Sequence, residues 1–172
     1  MKPGLEDKYM ADYFTGRIDF PVSLIDEEVQ RMLEAEGVDF KDGELVENRS
    51  EPDVYVDESI FTLNNLEARY GQFEDLENLL RQKGIPFDRQ SGQAYEFYPE
   101  MVIFRPGENG ASALSLYLPL LGSSDQPGII AQDIKDLIPQ GIEAIEAYLD
   151  EHFPSYPPLS DYVIEEDTAK KA

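Results

Sequence analysis

The chain has 172 residues, 36 of them acidic and 14 basic, for a formal net charge of -22. That is well beyond the magnitude of roughly 2–8 that keeps a small domain soluble, and it argues against direct nucleic-acid binding, which needs a basic stripe that the scattered cations do not form. With no cysteine and a single histidine, His152, disulfides, thiolate metal sites and zinc centres of ordinary composition are excluded.

The opening residues lack a basic region followed by an apolar run. No stretch approaches the roughly 18 apolar residues of a membrane span. These features predict a cytoplasmic protein with no membrane partner. The Tyr and Phe spacing within residues 1–16 predicts one short amphipathic turn or helix. Residues 17–22 alternate like a strand, with Pro21 at a sheet edge or strand end. Ser23 and Asp26 read as a capping box for a helix carrying Ile25, Val29, Met32 and Leu33 and closing at Gly37.

Val38 to Val46 reads as a hairpin around Asp42-Gly43. Residues 47–58 read as an acidic, proline-containing connection, and Ile60–Leu63 as a strand. Phe73, Leu76, Leu79 and Leu80 predict a second helix ending at Gly84. A turn at Ser91-Gly92 leads to a strand region over 95–104, and Asn109-Gly110 leads to a strand over 114–118. A loop over 122–128 precedes a helix over 129–138. A last helix follows, with Ile142, Ile145 and Leu149 on its core face.

The segments 32–40 and 79–87 align at an offset of 47: each is a helix end, a glycine, and a strand start with Phe. A duplicated α-β unit spanning 23–47 and 70–98 would give this pattern, and so would any two helices that run into strands. The expected architecture is α+β: one domain over residues 1–153, with an antiparallel or mixed sheet of roughly five to seven strands and three to four helices packed mainly on one face. An extended, proline-rich acidic tail over 154–172 follows it.

Acid is concentrated at the two ends of the chain. Residues 1–60 hold 17 acidic and 6 basic side chains, 61–120 hold 8 and 5, and 121–172 hold 11 and 3. The last helix sets Glu143, Glu146, Asp150 and Glu151 opposite its apolar stripe. A second candidate patch is the acidic connection, with Glu47, Glu51, Asp53, Tyr55, Asp57 and Glu58. Tyrosine beside carboxylate suits a protein interface, since one end of the side chain is apolar and the other wet.

No phosphate loop, dinucleotide fingerprint, calcium loop or nucleophile elbow is present. His152, at the end of the last helix, reads as a partner for the helix's negative pole. No catalytic residue, metal or cofactor is assigned. The expected function is non-enzymatic: an acidic protein that engages and inhibits a basic, nucleic-acid-handling protein as a DNA mimic. Anti-restriction and anti-CRISPR proteins, or nuclease immunity proteins, are of this general kind. Two alternatives stand beside it, a carboxylate-dependent, Mg-assisted enzyme and a structural domain from a salt-adapted organism.

Overall fold

The computed structural model describes residues 13–92, 99–107, 112–120, 128–129 and 131–164. The expected elements over 1–12, around Tyr95–Tyr98, at Asn109-Gly110 and over all of the 122–128 loop but Gly128 lie outside them, as does the tail beyond residue 164. Eight strands are described: β1 (Tyr13–Pro21), β2 (Phe40–Lys41), β3 (Glu44–Leu45), β4 (Asp53–Asp57), β5 (Ile60–Arg69), β6 (Phe87–Ser91), β7 (Glu100–Arg105) and β8 (Leu114–Pro119). The described α-helices are α1 (Glu27–Ala35), α2 (Glu74–Lys83), α3 (Ala131–Leu137) and α4 (Ile142–His152).

Six strands form one antiparallel sheet in the order β4-β5-β1-β6-β7-β8, and β2-β3 is a separate hairpin. The fold is therefore α+β. The first strand in sequence is internal to the sheet, paired with β5 on one side and β6 on the other. Phe14, Ile18 and Phe20 are buried on one face, while Arg17 and Asp19 point to the other. Cross-strand pairs carry that apolar face outward: Phe20 lies opposite Phe61 and Ile18 opposite Leu63 on β5. The Phe20 and Phe61 rings are 4.9 Å apart.

α1 and α2 cover this face with Val29 and Leu33 from one and Leu76, Leu79 and Leu80 from the other. The path β1-α1-β4 interleaves with β5-α2-β6, which is the split β-α-β connectivity. Both helices end on a left-handed glycine, Gly37 (φ 89°) and Gly84 (φ 66°). Both exits close with a six-residue bond, Val38 N–H to Leu33 O at 3.0 Å and Ile85 N–H to Leu80 O at 2.9 Å. Arg17 and Asn64, also 47 positions apart, are cross-strand partners.

Four local expectations are corrected. Residues 13–16 belong to β1 and not to an amphipathic turn. Ser23 does not cap α1: it sits in a short 3-10 turn, and Asp26 is the cap, its Oδ1 accepting from Glu28 N–H at 3.1 Å and Val29 N–H at 3.0 Å. Five residues of the acidic connection form strand β4, because Asp53-Val54-Tyr55-Val56-Asp57 alternates and its Val54 is buried. Of the predicted core stripe of α4, Ile142 is exposed and Ile145 and Leu149 are only half-buried, since no residue of that helix is fully buried.

Asp26 also clamps the two covering helices together, its Oδ2 accepting from Lys83 Nζ at 2.7 Å. The lysine and the two amides hold the Asp26 carboxyl below its ordinary value. A lowered carboxyl contributes stability above the unfolded pKa of about 3.9 and loses it as pH falls through the folded value. Asp26→Ala should therefore cost about 1 kcal/mol at neutral pH. The gap between variant and parent urea midpoints should close as pH drops below about 4.

Candidate functional site

The residues predicted to bind a partner fall into two separate groups. Glu143, Glu146, Asp150 and Glu151 are all exposed on α4, which lies beside β8 at one end of the sheet order. Glu47, Glu51, Asp53, Tyr55, Asp57 and Glu58 cluster around β4 at the other end. Five strand spacings of about 4.8 Å put roughly 24 Å between the two edges.

Around β4, several acids have local partners. Glu47 accepts the Val56 N–H at 2.7 Å and Glu51 the Leu66 N–H at 2.7 Å, so both cover backbone donors on the sheet edge that would otherwise invite pairing. Asp53 accepts from the Asn64 amide at 3.1 Å, and Arg49 lies 4.0 Å over the Tyr55 ring. Asp57 and Glu58 are exposed at the β4-β5 turn.

These two acids line a cup of about 310 Å³ on the sheet face opposite α1 and α2, together with Tyr55, Thr62, Arg17, Asp19, Asp88 and Leu159. The cup was not foreseen, because its lining comes from four strands spread along the sequence, β1, β4, β5 and β6. The signal was present in β1, where Arg17 and Asp19 occupy the polar side of an otherwise apolar strand. Asp19 and Asp88 are direct cross-strand partners between β1 and β6. Asp19 accepts from Thr62 Oγ1 at 2.5 Å and from Arg17 Nε at 2.8 Å. Asp88 accepts from Arg105 Nη1 at 2.8 Å. Burial pushes the Asp88 carboxyl above its ordinary value, the Arg105 guanidinium opposes the rise, and the Asp19 carboxylate adds to it.

The chain after α4 closes the other side of this face. Arg105 is 2% exposed; its Nε donates to Pro157 O at 2.7 Å, and its guanidinium lies 5.2 Å from the Tyr156 ring centroid. Leu159 is buried against the same face, and Ile164 N–H reaches Ser23 Oγ at 3.2 Å. Residues 154–164 thus run across the sheet from β7 to the end of β1.

At the β8 edge, a groove of about 400 Å³ separates the strand from α3 and α4. The Tyr148 ring stacks on His152 at 4.1 Å and 20°, and its hydroxyl donates to Asp133 Oδ2 at 3.3 Å. His152 Nδ1 lies 2.9 Å from Tyr148 O, a carbonyl that can only accept, so Nδ1 carries the hydrogen. Among the described residues, no group of three or more His, Asp or Glu side chains is arranged to hold a metal ion.

Two outcomes follow from the cup. Removing the neighbouring negative charge with Asp19→Asn should move the Asp88 titration toward acid, read by carboxyl NMR. Because Asp88 is raised in the folded state, its contribution to stability is present below the unfolded carboxylate pKa and is lost as pH rises through the folded value. At the rim, Glu58 (φ 46°) and Ser59 (φ 66°) both hold left-handed conformations in a two-residue turn suited to Asn-Gly. Replacing the pair with Asn-Gly should raise stability by about 1 kcal/mol in urea unfolding. Compared with known protein families, with curated proteins and with solved structures, the chain matches none.

Proposed function

We propose that the protein is a non-enzymatic acidic binding protein that engages and inhibits a basic, nucleic-acid-handling protein by presenting carboxylates where that partner expects phosphates. One observation carries this reading: α4 has no fully buried residue and leaves its carboxylates and its first isoleucine exposed. Its carboxylates Glu143, Glu146 and Asp150 are exposed, and on its apolar side Ile142 is 66% exposed, beside Ile138 at 60%. A helix that keeps Ile145 and Leu149 only half-buried while displaying its acids and Ile142 to solvent suits an interface. Rises of about 4.5–6 Å separate Glu143, Glu146 and Asp150 along the helix, giving a row of negative charge that a basic groove can follow.

The test is capture of a basic partner on the immobilised protein, with stepwise salt elution. The partner should elute at moderate salt and should lose its grip on a DNA duplex when the acidic protein is added. Exchanging Glu143→Gln, Glu146→Gln and Asp150→Asn together should weaken the complex about tenfold or more and flatten its salt dependence. Binding that persists unchanged at high salt would sink the reading.

A carboxylate-dependent enzyme is the second reading, and it is favoured by the Asp19–Asp88 pair. One acid sits in a concave polar site with its pKa raised, beside a second that is held by Arg17 and Thr62. Saturable Mg²⁺ shifts at these two carboxyls would support it.

A further inference from the structure

The groove between β8 and the α3-α4 pair is lined by Tyr117, Tyr148, His152 and Phe153, with Asp133 and Glu151 at its sides. Two of its rings are already stacked nearly parallel, Tyr148 on His152. A third, Tyr117, is 63% exposed. Asp133 orients the stack through the Tyr148 hydroxyl, and Glu151 makes no hydrogen bond or ion pair with the described residues. Aromatic faces combined with carboxylates form a site for an organic cation, because the ring quadrupole and the fixed negative charge act in the same direction. A flat stack suits a planar cation: guanidinium lies on aromatic faces and forks onto carboxylates, whereas an ammonium is a compact, strongly hydrated point charge.

We propose that this groove binds the guanidinium of an arginine side chain carried by the basic partner. The proposal rests on the binding-protein reading for the source of the arginine. The occupant follows from charge complementarity: a chain of net charge -22 whose aromatic groove has carboxylates at its sides selects a cation. At about 100° per residue Tyr148 and His152 lie about half a turn around α4 from Glu143, Glu146 and Asp150, so the groove and the carboxylate row are on opposite sides of the helix and a partner surface that uses both must wrap around it. Tyr148, His152 and Phe153 then act as the anchor, and the exposed acids supply steering.

His152 is the only histidine in the chain, so its ring resonances report on this groove without ambiguity. The experiment titrates the full chain with acetyl-Gly-Arg-Gly-amide and follows the His152 ring protons by NMR. A saturable shift is expected, with a weaker one for the lysine peptide and none for the citrulline peptide, which keeps the shape but not the charge. Tyr117→Ala should weaken arginine binding about three- to tenfold, as should the pair Asp133→Asn with Glu151→Gln. An absent or non-saturating arginine shift overturns the proposal, and so does equal binding of citrulline or lysine. The two readings fail separately. Partner capture that Tyr117→Ala leaves undiminished removes the groove and keeps the binding function. A saturable arginine shift in a protein that captures no basic partner keeps the groove and removes that function.

Discussion

The architecture depends on one buried arginine. Arg89 lies on β6, 2% exposed, on the face covered by the helices, directly between Ile18 of β1 and Val102 of β7. Its guanidinium pairs with Glu77 of α2 at 3.2 Å and with Glu100 of β7 at 2.6 Å. Glu77 in turn accepts the Phe73 N–H at the start of α2 and a bond from Arg81, whose guanidinium lies 4.9 Å from the Phe87 ring centroid. A buried ion pair adds little net stability over a well-packed apolar pair, yet breaking it leaves an uncompensated charge at a cost of about 3–5 kcal/mol. α2 must therefore sit where Glu77 meets Arg89, and that placement sets which apolar residues of α1 can pack beside it.

Acidic residues consequently do several distinct jobs in this protein. Glu77 and Glu100 neutralise a cation in or beside the core. Asp26 caps one helix and clamps it to the next. Glu47 and Glu51 cover donors at the sheet edge. Asp19 and Asp88 hold a polar network on the face that residues 154–164 partly roof. Other acids lie on α4 and at the β4-β5 turn, and also on the β2-β3 hairpin (Asp39, Asp42, Glu44) and around the start of α2 (Glu36, Glu67, Glu74, Asp75).

Much of the framework was legible from local patterns. The stripes of α1 and α2, their terminal glycines, the Asp42-Gly43 hairpin and the alternation of β8 are short-range signals, and each has a direct physical cause in helix or strand geometry. Three things were not readable locally. β4 was hidden because its two aspartates disguise an alternating five-residue strand. The apolar stripe of α4 looked like a core face, since periodicity records that a stripe exists and not what covers it. The cup and the groove draw on strands and helices far apart in sequence, so their residues are neighbours only once the sheet order is known. The acids of the two predicted patches were visible, but their assignment to edge cover, cup or free helix face required the register.

The position of β1 also governs the order in which the molecule can assemble. It leaves the ribosome before its partners, which lie far downstream: Arg17 pairs with Asn64 and Gly16 with Ser91. Until β5 and β6 have been synthesised, a strand carrying Ile18 and Phe20 has neither neighbour in place, and such non-local pairing slows folding. During that interval the nascent chain is at risk of edge-to-edge association. The first 60 residues, with 17 acids to 6 bases, repel their own copies throughout this wait. Part of the negative charge thus protects the chain while it is being made, before any surface exists for it to decorate.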